Sequence, residues 1–228
     1  MSVLADIARL ASASGLYIVG IAQVLASDGL SDKIKTVVLL GPDEPVFWPH
    51  FTTQPEYEDA NANGLDRWSR RVIGRIACDI GAKAVFPFGD PPYRPFIAWA
   101  LRSGRAFSSP VGMLVHDRAG LFLSIRGAIA LPEALEPTTG VIPCATCADQ
   151  PCRTACPANA LTPLGYDVAS CHAFLDRPDG ADCMQGGCRV RRACPVGRDR
   201  RLSAQSAFHM KAFHPNDPAP DPDPPREI

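Results

Sequence analysis

Eight of the chain's nine cysteines fall between Cys144 and Cys194, in two blocks of four. The first runs Cys144-x2-Cys147-x4-Cys152-x3-Cys156-Pro157, the second Cys171-x11-Cys183-x4-Cys188-x5-Cys194-Pro195. Thiolates are soft ligands, and four of them converging on a small volume can cage a cubane of iron and sulfide. Eight thiols are the number that two 4Fe–4S clusters need, and both blocks close on Cys-Pro. The chemistry this implies is one-electron transfer.

The Cys-Pro ending is that of bacterial ferredoxin runs, in which the last cysteine of one block ligates the other block's cluster. By that rule the first cluster takes Cys144, Cys147, Cys152 and Cys194, and the second takes Cys156, Cys171, Cys183 and Cys188. The spacing departs from the short ferredoxin pattern in two ways. Four residues rather than two separate Cys147 from Cys152, and the second block is stretched throughout. Zinc is the competing reading, because Cys-x2-Cys also suits a tetrahedral zinc site. Disulfides or free thiols are a third. The cassette holds few large apolar residues, so metal loading is expected to drive its folding. Clustered thiols, with no secretory pattern in MSVLADIARLASASGLYIVG, point to a reducing cytoplasm.

Other reactive residues are sparser. Arg189, Arg191, Arg192, Arg198, Arg200 and Arg201 surround Cys194. They either compensate anionic clusters or form a patch for an acidic redox partner or an RNA phosphate. Cys78 falls on a helical stretch, off its apolar stripe, and reads as a small packing residue. His116 ends an apolar run and reads as a surface residue. His172 follows Cys171 and is either a donor to a cluster sulfur or solvated. There is no nucleophile elbow, Ser-His-Asp pattern or phosphate-cradling glycine loop.

The elements that must position these residues follow from periodicity. Val3, Leu4, Ile7, Leu10 and Ala11 mark a helix capped near Gly15. LYIVGIA (16–22) and TVVLL (36–40) read as strands, and residues 43–64 as loop-rich. Leu65, Trp68, Val72, Ile73, Ile76 and Ile80 mark a second helix, followed by a strand end at 84–88, a Gly-Asp-Pro-Pro turn at 89–92 and a short helix near 96–101. Residues 111–131 read as paired strands, and 132–143 as a Pro/Glu-rich connector. One more short helix is expected near 202–212, and a Pro- and Asp-rich disordered tail from about 215. The division is a domain at 1–137, a cysteine domain at 138–200 and an extension at 201–228. With 46% apolar residues a core is within reach, and a net charge of −1 sets up no field for nucleic acid or membrane. No apolar run is long enough to span a bilayer. Oligomeric state is not readable from these patterns.

The cassette and the block before it resemble the epoxyqueuosine reductases, relatives of the CblC proteins and reductive dehalogenases. The similarity spans about residues 16–197 and is carried by CATCADQPCRTACPANAL, VASCHAFL (168–175) and SSPVGMLVHDRAGLFLSIRGAIALP (108–132). The resemblance implies an α+β fold: a nitroreductase-like α/β domain followed by a ferredoxin-type domain with two 4Fe–4S clusters. It also implies cobalamin on the first domain, reduced through those clusters. On this likeness Asp90, in FPFGDPPYRPFIAWA, stands near the family's proton-donating aspartate, although Gly-Asp-Pro-Pro is also an ordinary turn. Arg105, Ser108 and Ser109 stand at the corrin-side loop, where this chain replaces the family's Gly-x-Gly and Lys by Arg105, Phe107, Ser108, Ser109 and Pro110. The family's C-terminal helical repeat is missing. Three functions remain open: an electron-transfer protein serving a partner or a cofactor on its first domain, a cobalamin-dependent reductase, and a structural or sensing iron–sulfur protein.

Overall fold

The computed structural model describes residues 2–162, 165–198 and 200–214. The expected tail beyond 215 lies outside them. The described elements are, in chain order, α1 (Val3–Ser12), β1 (Leu16–Gln23), β2 (Thr36–Pro42), α2 (Phe47–Phe51), α3 (Pro55–Glu58), α4 (Gly64–Asp79), β3 (Lys83–Val85), α5 (Phe96–Arg102), β4 (Ala106–Ser108), β5 (Leu114–His116), β6 (Gly127–Leu131), β7 (Leu161–Thr162), β8 (Gly165–Tyr166), α6 (Val168–Leu175), α7 (Ala181–Gly186), α8 (Arg189–Ala193) and α9 (Ser203–Phe213). The fold is mixed α+β. No helix among the described residues is long and apolar enough to cross a membrane.

The main sheet is antiparallel, in the order β1-β2-β6-β3. Its two middle strands are buried along their whole length, and their alternation sends side chains to two cores. Val38, Leu40, Ile129 and Leu131 join Ile7 of α1 and Trp68, Ile73 and Ile76 of α4. Val37, Leu39, Ala128 and Ala130 face Phe96, Trp99 and Ala100 of α5. The alanines on that second face are small enough for α5 to lie close. Each large side chain buried this way stabilises by about 1.5–3 kcal/mol, so α4, with Leu65, Trp68, Val72, Ile73 and Ile76 buried, is the main prop of the first core.

One expectation is refined and one corrected. Within the loop-rich residues 43–64 lie two short helices, α2 and α3. Phe47 and Phe51 of α2 meet Trp68 with ring centroids 5.3 and 5.8 Å apart, and aromatic burial makes a five-residue helix worthwhile despite Pro49. Residues 111–131 do not pair with one another as a strand pair. Instead β5 pairs with β4, while β6 crosses into the middle of the main sheet.

The C-terminal helix is also more than an appendage. Phe208 of α9 packs on Trp48 and Phe51, at 5.3 and 6.0 Å between ring centroids, and α9 lies against α7 of the cysteine region. At its root Arg201 Nε lies 3.0 Å from Glu44 Oε1, close enough to pair by charge but out of line for a hydrogen bond. Gln205 Nε2 donates to the same carboxylate at 2.8 Å. Burial pushes the Glu44 carboxyl up and the Arg201 guanidinium down, each partly offset by the other's charge.

Candidate iron–sulfur centre

Four of the eight thiols sit on turns set by proline or on short helix ends. Pro143 and Pro151 begin two 3-10 turns that present Cys144 and Cys152, proline's fixed φ suiting the first position. Cys188 and Cys194 stand at the two ends of α8. Cys171 lies in α6, whose first turn is capped by Asp167 accepting from the Ser170 amide at 2.9 Å, and Cys183 lies in α7.

These elements sort the thiols into two cavities. Cys144, Cys147, Cys152 and Cys194 line one, of about 20 Å³. Cys156, Cys171, Cys183 and Cys188 line the other, of about 320 Å³. Two short connectors produce the exchange. The stretch from Cys152 to Cys156 leaves the first cavity and enters the second, and α8 runs the opposite way from Cys188 to Cys194. A helix rise of about 1.5 Å per residue puts the two cysteines of α8 about 9 Å apart along its axis. Val190 of α8 is buried between the sets, in an apolar cluster that also holds Val115 and Leu121.

Electrostatics follow the same division. Burial, then the neighbouring Cys152, Cys194 and Cys147, raise the Cys144 thiol. Burial raises Cys171 most, with Cys188, Cys156 and Cys183 adding to it, while a hydrogen bond from the Tyr166 hydroxyl pulls it back. Cys152 and Cys183 are also raised, chiefly by burial. Thiols that oppose each other's ionisation come off together only when a cation replaces their protons, as binding of iron would do.

No family model matches this chain. No curated protein matches it.

The donor set in each cavity suits a cubane. Such a cluster takes one thiolate per iron, so its ligands surround it rather than meet at a point. No three His, Cys, Asp or Glu side chains among the described residues stand close enough to hold a single metal ion. The second cavity supplies further groups directed at sulfur. The Ala160 amide donates to Cys156 Sγ at 3.3 Å, the Arg189 amide to Cys183, and Tyr166 to Cys171. Tyr166 was not legible as a site residue, because only the β8 to α6 turn brings it back over Cys171.

The residues marked by family likeness do not gather. Arg105 is held by Asp117 through two hydrogen bonds of 2.9 and 2.7 Å. Ser108 is exposed at the end of β4, and Ser109 lines the first cysteine cavity. Asp90 is exposed on a separate groove, beside Phe88, Tyr93 and Arg94. Asp90 and Ser109 line different cavities, so the four residues do not share one.

The histidines also fall elsewhere than expected. His116 is fully buried rather than on the surface. Its Nε2 donates to Val19 O at 2.8 Å, and its Nδ1 accepts from the amides of Arg118 and Ala119 at 3.0 and 3.2 Å. His172 packs against Phe213 and His214, and its buried Nε2 has no hydrogen-bond partner among the described residues. Cys78 is exposed on α4.

The arginines are largely engaged within the molecule. Arg189 and Arg192 share Asp182, Arg200 reaches Asp43 and the Glu44 carbonyl, and Arg191 donates to Leu121 O at 2.8 Å. Arg189, Arg191 and Arg201 line the second cavity together with His209. Burial, then Arg201, Arg126 and Arg191, push His209 down to about 3, so its ring is neutral near pH 7.

Proposed function

We propose that this chain is an iron–sulfur electron-transfer protein with two 4Fe–4S clusters, cytoplasmic in location. Residues 138–200 act as a ferredoxin-type module on a nitroreductase-like domain at 1–137. When bound, the clusters supply one-electron chemistry. One observation carries the reading: the eight thiols divide between two cavities as the crossover pattern requires, and not block by block. The chain's own residues hold the thiolates apart, bury Cys152, Cys183 and Cys194, and direct amide and hydroxyl donors at sulfurs of the second set. Arg189 and Arg192 keep about two fifths of their side-chain surface exposed, at 42% and 36%, and offer an acidic redox partner a contact next to the second site.

Anaerobic reconstitution tests this. Iron and acid-labile sulfide are each expected at about eight per chain, with broad visible absorption that dithionite bleaches. A fully reconstituted preparation holding zinc and no sulfide would overturn the proposal.

A second reading, an oxidoreductase fed by the clusters, has one observation in its favour. The second cavity runs beyond its cysteines onto Met113, Phe122, Leu123 and Ser124 of the first domain, leaving room for a further molecule.

A further inference from the structure

Both cavities present four thiols, yet one encloses about 20 Å³ and the other about 320 Å³. Enclosing one cluster asks for the same space in each, so the surplus in the second has another origin. A cluster would take part of the 320 Å³, and what remains is room for a small molecule only. The cavity's outer walls are apolar and come from two directions. Phe122 and Leu123 belong to the first domain, and Met210 and Phe213 belong to α9, which is fixed there by the Glu44–Arg201 pair.

The polar groups on those walls are not equivalent. Arg189 is paired with Asp182, and Arg201 with Glu44. Arg191 gives one N–H to Leu121 O, and no carboxylate among the described residues pairs with it. A guanidinium has five donors in a planar fork, so several remain for an acid that enters the cavity. Neutral His209 offers a further hydrogen-bonding group without adding charge. Apolar walls with one cation that no carboxylate among the described residues pairs exclude polyanions, since every additional charge would be desolvated without a partner. They suit a molecule with an apolar body and one acidic head.

We propose that the second cavity binds a small apolar monocarboxylate beside the second cysteine set, with its carboxylate on Arg191. The walls stand on their own, and the adjacency to a cluster rests on the electron-transfer reading.

The test uses the full chain, reconstituted without oxygen, and para-(trifluoromethyl)benzoate as the probe, followed by fluorine NMR. Saturable binding is expected, with the fluorine line broadened further when dithionite makes the neighbouring cluster paramagnetic. Arg191→Gln should weaken binding at least tenfold. Met210→Trp, which fills the apolar wall, should do the same, and both variants should keep iron and sulfide. The neutral analogue para-(trifluoromethyl)toluene should bind at least tenfold more weakly than the acid. No binding to the cluster-loaded protein, equal binding of the neutral analogue, undiminished binding in Arg191→Gln, or binding without broadening on reduction would each overturn the proposal. A sulfide-free chain that still bound the acid through Arg191 would keep the pocket and remove the cluster reading.

Discussion

The two cysteine cavities share a ligand count and little else. The first is small, and no charged side chain among the described residues lines it. Ser109, Pro110, Val115, Leu121, Gln150 and Pro195 stand among its walls. The second is wide and carries three arginines and a histidine, with sulfur-directed donors from Ala160, Arg189 and Tyr166. Cations and donors near sulfur stabilise the more negative, reduced state of a cluster. The second site is therefore expected to accept an electron more readily than the first. The difference assigns a direction, from the smaller, uncharged site to the one that opens on a pocket.

The largest effects should come from breaking the exchange of cysteines between blocks. Cys156→Ala should empty the second site and spare the first, and Cys194→Ala should do the reverse. Iron counts with low-temperature electron paramagnetic resonance would show which signal survives. If each substitution emptied the site of its own block, the partition described here would be wrong.

Next in size is the clasp that closes only the second site. Glu44→Gln leaves the buried Arg201 guanidinium without a counter-charge, a change expected to cost about 3–5 kcal/mol. Urea unfolding would report the loss. Iron release to a chelator should speed up at the second site far more than at the first, because α9 walls only the second cavity. Replacing the pair together, Glu44→Leu with Arg201→Met, should recover most of the stability.

Two glycines allow the same comparison at finer scale, with expected costs of about 1–3 kcal/mol. Gly120 has φ +55°, and a methyl group there would run into the Val196 carbonyl and approach Cys194 Sγ to 3.1 Å. Gly187 has φ +88°, and its methyl group would meet Ser206 Cβ of α9 at 2.8 Å. Gly120→Ala should loosen the first site and Gly187→Ala the second, read as separate changes in chelator-driven iron loss. Equal loosening of both sites by either variant would show that the two are one cooperative unit.

What could be read from the sequence was whatever local pattern decides. The run Val37–Leu40 declares a buried strand, the spacing of Leu65, Trp68, Val72 and Ile76 declares a helix, and thiol spacing declares the cassette. Pairings across the chain were hidden. The partner of β5 is β4, whose three residues carry no strand signature, and β6 is drawn into the sheet by burial on both faces. Tyr166 becomes a site residue only through the turn from β8 to α6, and Glu44 only through its reach along the chain to Arg201. Family likeness marked Arg105, Ser108, Ser109 and Asp90 one at a time and carried no information on whether they meet.

The smallest effect should be a pH dependence that belongs to the first site. His116 holds the turn leading to Gly120, its Nδ1 accepting from the Arg118 and Ala119 amides, and Gly120 abuts the segment of Cys194 and Val196. Burial pushes its pKa down. The Val19 carbonyl and Asp117 push it up, and Arg105 and Arg118 push it down again. A base whose folded pKa is depressed takes its proton first in the unfolded chain. Stability is thus full above the ordinary histidine value of about 6.5 and falls as pH drops below it, by up to about 1.4 kcal/mol per pH unit until the folded group titrates. Protonation would also turn Nδ1 from acceptor to donor and undo the turn. Urea midpoints for wild type should therefore drop between pH 7 and pH 5.5 by more than those of His116→Gln, which is less stable at pH 7 but lacks this acid limb. Because His116 supports only the first site, acid should release that site's iron first. Simultaneous release from both sites, or equal slopes in the two proteins, would remove His116 from the account of how the sites differ.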